Sequence, residues 1–182
     1  MLRIIGGQLR GSRIAVADRP GLRPTPDRVR ETLFNWLMAS VAGARCLDLY
    51  AGTGALGIEA LSRGAREVVF VERDALLAGM LRDVLGRLKQ TAAHVLNDDA
   101  ARALPQLTGL FDVVFLDPPF DAELWTPITA QLEQSGCLAD AALVYVESPA
   151  LREPVLPRHW QLHKQARSGD VRHALYRRGA RG

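Results

Sequence analysis

Lysine is nearly absent from this chain of 182 residues: of its 23 basic residues, 21 are Arg and only Lys89 and Lys164 are Lys. Cysteine is almost as scarce. Cys46 and Cys137 lie far apart and form no CxxC, which excludes a disulfide framework and fits buried thiols in a reducing compartment. No apolar run approaches the roughly 18 residues that a membrane-crossing helix needs. Met1-Leu2-Arg3-Ile4-Ile5-Gly6-Gly7 lacks the apolar core of an export signal, so a cytoplasmic protein with no membrane partner is expected. The four His show no metal-ligand spacing, and no metal site is expected. Repeats and low-complexity stretches are missing. With 48% hydrophobic residues, the chain has enough apolar material for one domain with a sizeable core.

The net charge of +3 hides a strong segregation. Residues 1–30 carry a net +5, residues 31–151 a net −8 and residues 152–182 a net +6. Two basic ends flank an acidic middle. Arginine presents a planar fork of donors suited to phosphates and base edges, so both ends are candidates to meet a polyanion. Arginine used as a generic surface cation explains the composition equally well.

Leu2–Ile5 and Ser12–Val16 read as two short strands around a glycine-rich turn. Thr25-Pro26 then opens a helix, with Thr25 as cap and Pro26 at the first helical position. Val29, Leu33, Trp36 and Leu37 form its apolar stripe. Residues 1–40 therefore read as a basic extension (hairpin plus helix) laid onto a domain of residues 41–182. In that domain, apolar runs at 46–49, 68–71, 94–96, 113–116 and 143–146 alternate with helical segments at about 55–63, 74–89, 99–107 and 122–135. Apolar strands alternating with helices predict a parallel sheet buried on both faces. Residues 159–166 and 171–178 predict a closing antiparallel hairpin.

Directly after the first of these strands stands Leu47-Asp48-Leu49-Tyr50-Ala51-Gly52-Thr53-Gly54-Ala55-Leu56-Gly57. It holds G-x-G-x-x-G at a strand-to-helix turn, where glycines permit a tight bend and a ligand's approach to bare backbone. Glu72 ends the next strand, 20 residues after Gly52, placed to accept from both hydroxyls of a ribose. Dinucleotides and S-adenosyl-L-methionine share this layout. The second is favoured, because Asp48 can accept from an ammonium group that a nicotinamide dinucleotide lacks. A dehydrogenase would also need room for a substrate domain. Asp99, or its neighbour Asp98, can take the adenine amino group at the end of the third strand, although a helix cap is an equally sound role for one of them.

The fourth apolar strand ends in Asp117-Pro118-Pro119-Phe120, at the sheet edge where ligands of open parallel sheets bind. An exocyclic amine on a nucleobase is a poor nucleophile because its lone pair is delocalised into the ring. The Asp117 carboxylate can accept one N–H and the Pro118 carbonyl the other, localising that lone pair and favouring the charge that develops on nitrogen. Phe120 offers a face for stacking an extruded base. Neither a metal nor a covalent intermediate is required.

The glycine loop and the DPPF tetrapeptide resemble those of class I S-adenosylmethionine-dependent amino-methyltransferases. Further blocks narrow the resemblance: Arg3–Gly7, Arg10-Gly11, Arg23–Asn35 and Ala142–Glu147. Over nearly its whole length the chain is similar to the bacterial 16S rRNA guanine-N2 methyltransferase family called RsmD. That resemblance implies a Rossmann-like fold with a seven-stranded, mostly parallel sheet, and methylation of a guanine amino group in small-subunit rRNA or its assembly intermediate. It places cofactor binding on Asp48, Gly52, Gly54, Glu72 and Asp99, with Ala51 of the same loop a further candidate, and its catalytic motif on Asp117 to Phe120, with Asp117, Pro118 and Phe120 as the catalytic candidates. It gives the basic N-terminus an RNA-binding task, with Arg10, Arg23, Arg28 and Arg30 as candidates. A monomer is expected. The competing readings are an adenine-N6 or protein-amide methyltransferase, which share a D/N-P-P-aromatic motif, and a non-catalytic RNA-binding assembly factor.

Overall fold

The computed structural model describes every residue except Gly21, Arg23, Asp121, Ala122 and residues 180–182. Two short strands, β1 (Leu2–Arg3) and β2 (Arg13–Ile14), pair with each other, and the helix α1 (Asp27–Trp36) follows. The central sheet then alternates with helices. Its parallel strands are β3 (Arg45–Asp48), β4 (Glu67–Val71), β5 (Ala93–Leu96), β6 (Phe111–Leu116) and β7 (Leu138–Pro149). The helices between them are α2 (Ala55–Ser62), α3 (Ala75–Arg87), α4 (Ala100–Ala103) and α5 (Trp125–Gln134). An antiparallel hairpin of β8 (Trp160–Ser168) and β9 (Val171–Arg178) closes the sheet, in the order β5-β4-β3-β6-β7-β9-β8. The seven-stranded, mostly parallel sheet with its antiparallel end is the one the sequence predicts.

Side-chain alternation along the strands divides the core into two layers. Cys46, Val113, Phe115, Leu143, Tyr145 and Leu175 face α1, α2, α3 and the β1–β2 pair. Leu47, Val114, Leu116, Val144, Val146 and Ala174 face α4 and α5. Leu2, Ile4, Ile14, Leu33, Phe34 and Leu37 belong to the first layer, so the N-terminal elements share one core with the sheet.

Three local expectations need correction. Thr25 does not cap α1; Pro26 takes the cap position without a side-chain hydrogen bond, and the Thr25 hydroxyl instead donates to Glu147 Oε1 at 3.0 Å. The segment 99–107 is not one helix. Pro105, which has no N–H, tightens its second half into a short 3-10 turn over Leu104–Gln106. β7 begins five residues before its apolar run, with polar and exposed positions and a register irregularity opposite Phe111 and Val113.

Candidate active site

Each parallel strand delivers its last residues to the same edge of the sheet, and there the singled-out side chains gather. Asp48 ends β3 and is 3% exposed, with Oδ2 accepting from the Gly57 N–H at 3.0 Å. Gly54 caps α2 with a positive φ of 78°, a conformation that favours glycine. Gly57 packs flat on β4: a Cβ there would stand 2.2 Å from the Phe70 ring. The loop between them presents bare backbone. The Ala51 N–H is committed to the Val71 carbonyl at 3.0 Å. The Gly52 N–H donates to Glu72 Oε2 at 2.8 Å, while Glu72 Oε1 accepts from the Asp74 N–H at 2.8 Å. Glu72 is thereby clamped across the ends of β3 and β4.

Asp98 and Asp99 are both engaged locally. Asp99 Oδ1 caps α4 by accepting from the Ala101 N–H at 2.9 Å, and Asp98 Oδ1 takes the Arg102 guanidinium at 2.9 Å. Asn97, between them and β5, donates to the Glu72 carbonyl at 2.9 Å and so ties the ends of β4 and β5 together.

Asp117 follows β6, half-buried, and Pro118 is buried behind it. Phe120 packs its ring at 5.6 Å from that of Trp125, and the Trp125 indole N–H donates to the Glu147 carbonyl at 2.7 Å. The DPPF turn is thus braced on α5 and β7. Burial pushes the Asp117 carboxyl well above the usual range, with Glu147 and Asp48 adding to the shift. Burial also pushes Asp48 up to about 7, against the Gly57 hydrogen bond and with a contribution from Glu72. Four carboxyls, Asp48, Glu72, Asp117 and Glu147, therefore crowd one edge, an arrangement that favours a cationic occupant.

Sequence reasoning missed the group behind Asp117. Glu147 Oε1 accepts from the Thr25 hydroxyl and, at 2.9 Å, from the Tyr145 hydroxyl. Tyr145 also lies 2.8 Å from His173 Nδ1. The signal was present in part: Tyr145 and Glu147 share a strand face by alternation, yet nothing local marks Thr25 or His173 as their partners.

Of the candidate RNA-binding arginines, the three described ones, Arg10, Arg28 and Arg30, sit in different settings. Arg30 is not available to RNA. Its side chain is fully buried and donates to the Thr25 and Arg3 carbonyls and to Asp27 and Glu59, so no donor is turned to solvent for a phosphate. Arg28 is exposed on the first turn of α1, three residues after Thr25. Arg10 sits on the β1–β2 connection, which packs on the Ser62 end of α2. That end is about 12 Å, one helix length, from the glycine loop. Arg23 lies outside the described residues.

A sheet of this strand order with an antiparallel seventh strand, a glycine-rich turn after its first parallel strand and an acid ending the second, is the class I methyltransferase fold. A family model described as conserved hypothetical protein 95 matches residues 2–177, and the chain belongs to that family, the RsmD family. The ribosomal RNA small subunit methyltransferase D of Escherichia coli (strain K12) is 47% identical over 182 residues, covering 100% of this chain and 92% of that protein. Its counterpart in Haemophilus influenzae is 44% identical over 179 residues, covering 96% and 93%. A solved structure described as putative methyltransferase yhhF from Escherichia coli superposes with a TM-score of 0.92 at 44% identity, covering 99% of each chain. Among the described residues, no helix is long and apolar enough to cross a membrane.

Proposed function

We propose that this chain transfers a methyl group from S-adenosyl-L-methionine to the exocyclic N2 amino group of a guanine in small-subunit (16S) rRNA. The reading is supported above all by the placement of Asp117 and Pro118 at the strand end beside a cluster of carboxyls. The residues present fit the cofactor. S-adenosyl-L-methionine carries an ammonium and a sulfonium, and the acidic edge suits both; the pyrophosphate of a dinucleotide would face the same carboxyls with the wrong sign. Asp48 would hold the ammonium, the Ala51–Gly54 backbone would line the cofactor's path, Glu72 would take the ribose hydroxyls and Asp99 the adenine amine. When bound, the cofactor supplies an electrophilic methyl group on sulfur.

The chain's own residues do the rest. Asp117 accepts one N–H of the guanine amine and the Pro118 carbonyl the other, which fixes the nitrogen lone pair toward the methyl. Phe120, held by Trp125, stacks on the base. The two prolines keep the turn rigid. Arg28, exposed on the first turn of α1, would contact RNA phosphate, and Arg10 would reach only a more distant stretch of the same RNA.

Labelled S-adenosyl-L-methionine tests the reading directly. Incubation with rRNA or small-subunit particles is expected to label a single guanine at N2. Label on adenine or on protein would favour the other amino-methyltransferases, and none on any RNA would leave an assembly factor.

A further inference from the structure

Asp117 and Glu147 are neighbours across β6 and β7. Leu116 pairs with Val146 in the parallel ladder, so the next residue of each strand lies side by side at about the 4.8 Å strand spacing. By alternation both turn to the face of Phe115 and Tyr145. One register step across, Glu147 pairs with His173 on β9. The result is a row of Asp117, Glu147 and His173 along the catalytic edge, with Tyr145 one turn of the pleat below. Glu147 is 6% exposed.

The surroundings of Glu147 fix what it can do. Both of its hydrogen bonds among the described residues, from Thr25 and Tyr145, run to Oε1. Among the described residues, the ionisable groups facing it are Asp117 after β6, Tyr145 from its own strand and His173 from β9, with Nδ1 at 3.9 Å from Oε1. Asp48 on β3 lies beyond Asp117. On α1, the closest cation to Thr25 is Arg30, which is spent on Asp27, Glu59 and two carbonyls. Burial keeps His173 neutral by lowering its pKa, so it brings no charge. α5 contributes the Trp125 N–H, and that goes to the Glu147 carbonyl.

We infer that Glu147 is a positioning residue for Asp117: the buried Glu147 holds one proton on Oε2 and donates it toward the half-buried Asp117 carboxylate, so that the pair carries a single negative charge and Asp117 is the member that accepts from the substrate amine. Two adjacent carboxylates in such a place do not both ionise. The anchors on Oε1 decide where the proton sits: two donors occupy that oxygen, which leaves Oε2 to carry the hydrogen. Burial raises both carboxyls, and the neighbouring Glu147 raises Asp117 further, while the Tyr145 and Thr25 hydrogen bonds pull Glu147 part of the way back.

This assignment completes the proton account of the methyl-transfer reading, on which its chemistry rests. The bond from N2 to the methyl forms as the methyl–sulfur bond breaks, and the bonding pair stays on sulfur. The proton that N2 must lose passes to Asp117. Glu147 keeps its own proton, so the pair ends with two and returns one to water after the product leaves.

The first test needs neither cofactor nor RNA. Carbon-13 labelling of side-chain carboxyls in the free protein gives a titration curve for each residue, assigned with Glu147→Gln and Asp117→Asn. Glu147 is expected to titrate well above the ordinary Glu range of about 4.3, and Asp117→Asn to lower its midpoint by about one pH unit or more, a tenfold change in proton affinity. An unchanged Glu147 midpoint in Asp117→Asn overturns the inference even if methyl transfer is confirmed. The second test compares single-turnover transfer to rRNA. Glu147→Gln mimics the protonated form and should keep a tenth or more of the wild-type rate, whereas Glu147→Ala should lose a hundredfold or more. Should Gln fall as far as Ala, the charged form is the working one and the assignment is wrong. Tyr145→Phe removes one donor from Oε1 and should raise the Glu147 midpoint, a readout that survives if the Ala variant fails to fold.

Discussion

The guanidinium of Arg30 and the carboxylate of Glu59 lie 3.4 Å apart, and neither side chain is exposed to solvent. Glu59 also accepts from the Ile5 and Gly6 N–H groups at 3.0 and 2.8 Å and from Arg63 at 2.9 Å. One buried acid on α2 therefore gathers the β1 strand end, α1 and its own helix. An arginine in a dense basic block is here an internal tie, which changes what its removal should do.

Arg30→Ala should leave Glu59 buried with less compensation, at a cost of about 3 kcal/mol or more. The expected result is a lower melting temperature with the salt dependence of RNA binding unchanged in the folded fraction. Arg28→Ala should do the reverse. It should keep wild-type stability within about 0.5 kcal/mol and flatten the salt dependence of RNA binding by about one counterion. Equal salt slopes in wild type and Arg28→Ala would take Arg28 out of the interface.

Asp117→Ala should abolish methyl transfer while calorimetry still shows the cofactor bound. Asp117→Asn keeps one acceptor oxygen and should retain partial activity. Full activity in Asp117→Ala would remove the catalytic role given to that residue.

Asp48 sets a pH dependence. Its folded-state pKa is raised from 3.8 to about 7, so between those values the folded chain holds a proton that the unfolded chain has released. Stability is then full below the lower value and falls as pH rises, by up to about 1.4 kcal/mol per pH unit. Urea melts of the free protein from pH 4.5 to 7.5 should show this decline, and Asp48→Asn should make it shallower, with the raised Asp117 and Glu147 carboxyls supplying the remainder. Because a bound ammonium favours the ionised carboxylate, cofactor binding should tighten and release a proton as pH approaches 7 from below. A cofactor affinity independent of pH in this range would contradict the contact.

Gly57→Ala should be costly. The added methyl would overlap the Phe70 ring at 2.2 Å, and Phe70 is fully buried. A loss of about 1–3 kcal/mol is expected, measurable by denaturant titration. A neutral effect would mean that α2 can slide on β4.

Local features were the legible ones. The glycine loop, Glu72 and DPPF are read from a few consecutive residues each, and strand–helix alternation fixes which sheet edge they share. Long-range partnerships were not. Thr25 reaches Glu147 across 122 positions, so its hydroxyl looked like a helix cap. Arg30 looked exposed because its buried partner Glu59 lies on another helix. Pro105 cut short a helix whose apolar spacing continued past it, and the early part of β7 has no apolar alternation to announce it.

The two thiols occupy opposite layers, Cys46 beneath α1 to α3 and Cys137 beneath α4 and α5. Burial raises both pKa values, that of Cys46 to about 12, so alkylating reagents find almost no thiolate while the fold is closed. Each sulfur is therefore a natural stopwatch for its own side of the sheet, reporting whether the two halves breathe together or one at a time.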